Sequence, residues 1–227
     1  MSLAIDVQRL RFRYGRGPWV LDIPELTLER GTRAFLFGPS GSGKTTLLGV
    51  LAGVLKPEEG EVKVLGRDLA SLSGAQRDAF RAEHIGYVFQ MFNLIPYLSV
   101  LDNITLPARM NAARRARLDG VGVKEAAAVL ADHLHIGDLL QKPVTELSVG
   151  QQQRVAACRA LIGAPELIVA DEPTSSLDFD RREAFLELLF RECERAGATL
   201  VFVSHDRTLE GMFSRRISLP DINKAAL

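Results

Sequence analysis

The chain is short of several things, and each shortage excludes a class of protein. It has two cysteines, Cys158 and Cys193, far apart and outside any CxxC pair. They build neither a disulfide framework nor a thiol redox motif, and two buried thiols in a reducing compartment are expected. No apolar run reaches the roughly 18–20 residues that span a bilayer, because Glu166, Asp171 or His205 interrupts each candidate. Met1 to Leu10 carries Asp6 and Arg9 where a secretory signal needs an unbroken apolar stretch. A cytoplasmic chain that does not itself cross a membrane is expected. Net charge is missing too: 28 Lys and Arg stand against 28 Asp and Glu. That balance supplies no global field for nucleic acid or anionic lipid, and no nucleic-acid partner is expected. There is no internal repeat and no low-complexity segment. What remains is apolar material: 47% of the 227 residues are hydrophobic, enough to bury a full core and to exclude disorder and collagen-like chains.

Leu3 to Phe12 and Val20 to Leu28 partly alternate apolar with polar residues around a turn at Gly15-Arg16-Gly17-Pro18, which predicts an antiparallel β region. Ala34 to Phe37, Ile85 to Phe89, Leu167 to Ala170 and Thr199 to Val203 are short apolar runs suited to strands buried on both faces. Helical patterns at Lys44 to Val54, Lys124 to Leu134, Gln151 to Ile162 and Arg181 to Arg195 lie between them, so the core reads as an α/β sheet. A last strand is expected at Arg216 to Leu219. Between Met91 and Ser148 the strand signal nearly vanishes, and this stretch reads as a helical insertion within a single domain spanning 1–227. The arginines at 109, 114, 115 and 117 could bind phosphate, but they read as part of an Ala/Arg-rich solvated helix and are assigned no chemistry. His133 and His135, two apart, fall on different helix faces and make no zinc site.

Gly38-Pro39-Ser40-Gly41-Ser42-Gly43-Lys44-Thr45 fills GxxxxGK[ST] between a predicted strand and a predicted helix, the setting of a P-loop. The glycines let backbone N–H groups turn onto a phosphate chain, Lys44 neutralises the outer phosphates, and Thr45 can hold Mg²⁺. Thr46 continues the helix. The ligand this chemistry calls for is a nucleoside triphosphate. Leu167 to Ala170 then runs into Asp171-Glu172, the tip of an apolar strand carrying two carboxylates. Asp171 would assist Mg²⁺ and Glu172 would polarise the attacking water, which points to hydrolysis rather than binding alone.

Leu147-Ser148-Val149-Gly150-Gln151 resembles the LSGGQ signature of ATP-binding cassette (ABC) ATPases. The likeness extends along the chain. It implies that Tyr14 is the aromatic that stacks on adenine, Gln90 the Q-loop glutamine that also reaches the metal, Asp178 part of the D-loop at Ser175-Ser176-Leu177-Asp178, and His205 the switch histidine. The resemblance further implies the cassette fold, with a RecA-like core, an N-terminal antiparallel β region and a helical subdomain at about 91–148. Two copies would pair head to tail, with ATP held between one P-loop and the other copy's Ser148, Gly150 and Gln151. Val149 departs from the commonest signature, which has a second glycine there. Gly86 to Ile104 and Ala170 to Thr174 resemble the lipoprotein-release, macrolide-export and FtsE-like subgroup, which implies a separate inner-membrane permease of FtsX or MacB type and a peripheral place on that membrane. Met91 to Tyr97 would receive the permease's cytoplasmic helix. Other readings are a scaffolding FtsE-like subunit, the ATPase of a small-solute importer, a GTPase, and an ABC protein of DNA or ribosomes. Asn223-Lys224 is followed by alanines instead of completing the NKxD of a GTPase, and 227 residues leave no room for a long coiled coil or a second cassette.

Overall fold

The computed structural model describes residues 2–175 and 179–225. Ser176, Leu177 and Asp178, the greater part of the expected D-loop, lie outside the described residues.

In chain order the elements are β1 (Leu3–Phe12), β2 (Leu21–Glu29), β3 (Arg33–Phe37), α1 (Lys44–Leu51), β4 (Glu59–Val64), β5 (Arg67–Asp68) and α2 (Gly74–His84). There follow β6 (Ile85–Val88), α3 (Val100–Met110), α4 (Ala112–Ala116), α5 (Val123–His133), α6 (Val149–Leu161), β7 (Leu167–Asp171) and α7 (Phe179–Arg195). The chain closes with β8 (Thr199–Val203), β9 (Arg215–Ser218) and α8 (Leu219–Ile222). These elements form two compact units, one of Met1–Arg81 with Thr199–Leu227, the other of Ala82–Ala198. Among the described residues no helix is long and apolar enough to cross a membrane.

In the first unit the antiparallel sheet runs β2-β1-β4-β5. Alternation on β1 sends Ile5 and Val7 into the core, an irregularity at Arg9 (φ 52) shifts the register against β4, and Leu10 and Phe12 resume on the buried side; Val7 faces Leu26 of β2. The same unit holds β3 between β8 and β9, parallel to both, with Leu36 opposite Val203 and Ile217. β8 is buried at all five positions, which is why its apolar run shows no alternation. Because these strands are parallel, the turns after Phe37 and Val203 emerge at the same end.

In the second unit β6 and β7 pair in parallel, Val88 opposite Ala170. The end of α6 passes so close to β6 that a Cβ on Gly86 would stand 2.2 Å from the Ala160 carbonyl oxygen, so only glycine fits. The stretch read as helical, Met91 to Ser148, carries α3, α4 and α5. Arg114 corrects the expectation of a solvated Ala/Arg-rich helix. Arg109 and Arg115 are exposed, but Arg114 is only 2% exposed. Its guanidinium donates to the carbonyls of Ala82 (2.8 Å), Ile162 (3.1 Å), Ala160 (3.3 Å) and Ile85. Those oxygens belong to the ends of α2 and α6 and the start of β6, where helix carbonyls lose their internal partners and a forked cation satisfies them. Burial first, and Arg117 second, lower its pKa to about 10, which leaves it charged at neutral pH.

Candidate functional site

The first unit carries the phosphate loop. Gly43 caps α1 with φ 96 and has no side chain to cap with; a Cβ there would press on Leu21 and the Val20 carbonyl. The amides of the first turn, Lys44, Thr45 and Thr46, therefore face the end of β3 with no intrahelical acceptor, the arrangement an anion fills. Lys44 is 8% exposed, and its ammonium donates to the carbonyls of Gly38 and Pro39, both at 2.9 Å. The lysine thus curls over its own loop at the mouth where phosphates would enter. Ser40, Gly41 and Thr45 are exposed, whereas the buried Ser42 Oγ has no hydrogen-bond partner among the described residues. An orphaned hydroxyl inside a glycine loop fits a site built to hold polar oxygens.

Tyr14 stands beyond β1, 57% exposed, its ring edge-on to Phe12 at 5.0 Å. Its hydroxyl meets Thr46 Oγ1 at 3.3 Å, which ties the aromatic to the loop helix. His205 follows β8 at the same end as the loop: Ser204 N donates to Leu36 O at 3.3 Å. Asn223 escaped the sequence reading. Buried beside α8, it accepts from Asp22 N (2.8 Å) and donates to Val20 O (2.9 Å) and Ser42 O (3.4 Å), so it buttresses the loop from behind. No local pattern announces such a role, since its partners lie about two hundred residues away.

The second unit carries Asp171 and Glu172, the segment that resembles the signature, and Gln90. Asp171 ends β7 at 8% exposure, and Glu172 follows with φ 43, a left-handed angle that a residue with a Cβ resists. Parallel pairing of β6 with β7 brings Gln90 out at the same strand end, where it is exposed. Burial raises the pKa of the Tyr87 phenol, with Asp171 adding to it, so this ring stays protonated beside the carboxylate.

Ser148 caps α6 in a closed box: its Oγ accepts from Gln151 N at 3.3 Å while Gln151 Oε1 accepts from Ser148 N at 2.9 Å. The Ser148 hydroxyl proton stays available to a ligand. Val149, 47% exposed, and Gly150 form the first turn of the helix. The valine therefore adopts a right-handed helical backbone and needs no glycine-like angle. Gln153, two residues past the signature, donates to Pro173 O at 2.9 Å, just beyond Glu172.

Beyond Gln90 the chain makes an unusual turn. Phe92 and Asn93 have φ of 58 and 49, and Phe92 is 7% exposed, so it belongs to the core. Met91 and Tyr97 are 81% and 85% exposed. Burial lowers the pKa of Arg159, which donates to Phe92 O and Asn93 O. An apolar cavity of about 380 Å³ between α5, α6 and α7 lies apart from all of these residues, with Glu192, His133 and Arg195 on its wall.

The model of the ABC transporter family matches residues 21–175, a span from before the phosphate loop to beyond the carboxylate pair. The chain belongs to the ABC transporter family. This cassette is 38% identical to the lipoprotein-releasing system ATP-binding protein LolD of Syntrophotalea carbinolica over 202 residues, 89% of this chain and 87% of that one. It is 38% identical over 196 residues to the macrolide export ATP-binding/permease protein MacB of Rhodopirellula baltica, 86% of this chain but 28% of that longer one. Its fold is similar to the ATP-binding cassette MJ0796, solved as a post-hydrolysis dimer with ADP and phosphate, at TM-score 0.82 and 32% identity over 94% of this chain and 93% of that one. The cassette is thus an ATP-binding ATPase subunit of an ABC transporter.

Proposed function

We propose that this cassette is a cytoplasmic subunit peripheral to the inner membrane, which powers a separate permease of FtsX or MacB type through ATP-driven pairing of two copies. The observation that carries the permease reading is the tip at Met91 and Tyr97. Two large apolar side chains, Met91 next to Gln90 and Tyr97 seven residues beyond it, stand in solvent on a segment whose backbone Arg159 holds at Phe92 and Asn93. Solvent-exposed apolar side chains on a braced backbone suit an apolar partner helix.

In the nucleotide site, the backbone from Gly38 through Ser40, Gly41, Ser42 and Gly43 to Thr46 cradles the phosphates, and Lys44 moves from its own carbonyls onto the outer phosphate oxygens. Tyr14 stacks on the base. Thr45, Gln90 and Asp171 are the residues that would hold Mg²⁺, which supplies neutralising charge on the phosphates. Glu172 takes a proton from the attacking water, and His205 holds the γ-phosphate. Ser148, Gly150 and Gln151 reach the nucleotide bound to the second copy, with helix amides and the Ser148 hydroxyl as donors.

Paired variants test this. Lys44→Ala loses a charge-assisted contact, and ATP affinity falls about tenfold to a hundredfold. Glu172→Gln keeps ATP but slows hydrolysis by about a hundredfold or more, so a dimer accumulates and is visible by light scattering. Unchanged turnover in Glu172→Gln would remove Glu172 from the chemistry.

A further inference from the structure

One side chain holds both carbonyls of the unusual turn. Arg159, in the last turn of α6, donates through Nη2 to Phe92 O at 2.6 Å and through Nη1 to Asn93 O at 2.7 Å. Two consecutive non-glycine residues at φ 58 and 49 take up a shape that L-residues avoid, so the turn needs support from outside itself. A planar guanidinium can span adjacent carbonyls; a lysine ammonium acts from a single point. Asn103, fully buried on α3, secures the far side of the same segment. It accepts from Ile95 N at 2.8 Å and donates to Ile95 O at 3.1 Å and Ser99 O at 3.0 Å. Pro96 and Tyr97 are exposed within the span from Ile95 to Ser99 that Asn103 holds, and Ile95 lies two residues beyond the turn that Arg159 grips.

The other end of Arg159's helix is the signature. α6 has 13 residues, a rod about 20 Å long. Ser148 caps its start, Gln153 ties its second turn to the chain beyond Glu172, and Arg159 grips the 92–93 turn near its end. A shift of this rod along its axis moves all three attachments together.

We propose that Arg159 is a positioning residue that links the segment carrying Met91 and Tyr97 to the signature helix, so that nucleotide contact at Ser148 displaces Tyr97, and a push on Tyr97 displaces Ser148. The inference rests on the reading that ATP joins two copies across Ser148. It adds the physical connection by which a membrane partner and the nucleotide sense each other, a reciprocal coupling by thermodynamic necessity.

The native thiols make a clean test possible, because Cys158 and Cys193 are 0% and 1% exposed. Tyr97→Cys, carrying an environment-sensitive thiol fluorophore in the Glu172→Gln subunit, reports the segment, while light scattering reports dimer formation in the same sample. The expected result is an emission change on adding Mg²⁺-ATP to this parent. Arg159→Ala loses most of that change with the ATP-dependent dimer still formed, and Arg159→Lys recovers part of it. A merely structural role would lower the melting temperature without separating label response from dimerisation. If Arg159→Ala does not fold, Arg159→Lys carries the test through its reduced response. A full response in a folded Arg159→Ala overturns the linkage, as does a silent label in a parent that dimerises. A parent that forms no ATP-dependent dimer overturns the reading of the site, and the linkage with it.

Discussion

Replacing Arg114 by alanine removes a cation to which four backbone carbonyls have committed. A hydrogen bond to a charged group contributes about 1.5–3 kcal/mol, but these four share one desolvation cost and do not sum. Leaving several buried carbonyls without a donor costs about 1–3 kcal/mol each, and with water recovering part of this the total is about 3–5 kcal/mol. The carbonyls of Ala160 and Ile162 would be left facing a void that water can fill only in part. For a chain of this length each kcal/mol lowers the midpoint by about 2–4 °C, so Arg114→Ala should melt about 10–15 °C below the parent. Arg114→Lys keeps the charge but offers donors from one nitrogen, and should lose about half as much. The measurement is thermal unfolding followed by far-UV circular dichroism, with ATP binding measured on the same samples below the transition. Binding should persist in the folded fraction, because the four carbonyls that the Arg114 guanidinium holds lie outside the phosphate loop. A fall of less than about 3 °C in Arg114→Ala would refute the argument and return the residue to the solvated face that its neighbours suggest.

Two further outcomes follow from the site. Tyr14→Ala should raise the Michaelis constant for ATP about tenfold while Tyr14→Phe and Tyr14→Trp stay near the parent, since a stacked ring contributes about 1–3 kcal/mol and only alanine removes it; equal kinetics in all three would assign Tyr14 to turn packing. Tyr97→Asp should leave folding and ATP binding intact but abolish co-purification with the permease, whereas Phe92→Asp should fail to fold because it puts a carboxylate in the core; a stable Phe92→Asp would contradict its burial.

The phosphate loop and the Asp171-Glu172 strand tip were legible because their chemistry needs fixed residue types at consecutive positions. The strands were legible for a related reason: β1 alternates on either side of Arg9 and β8 is buried throughout, and both patterns are local. The residues that brace the backbone are of another kind. Arg114, Asn103, Arg159 and Asn223 all act on backbone groups. Sequence names the donor but not the carbonyl that lacks a partner, because that depends on where helices end and which strand they meet. Arg114 sits among alanines and arginines and so resembled a wet helix. Phe92 and Tyr97 both looked like one apolar docking strip, and the left-handed pair at Phe92 and Asn93 is what turns the first inward while leaving the second out. Val149 departs from the commonest signature, yet it opens α6 with an ordinary helical backbone, which a sequence pattern does not display.

The backbone angle of Glu172 bears on how the sequence is kept. At φ 43 a side chain with a Cβ costs about 1–2 kcal/mol relative to a relaxed angle, and asparagine or glycine would bear it more easily. Stability alone would therefore favour losing the glutamate, and on the proposed reading of the site a demand for hydrolysis would oppose that loss. A lineage that kept the assembly but no longer needed turnover would be free to drift at this position toward the small residues the turn prefers, and its inactive descendants would be the sturdier proteins.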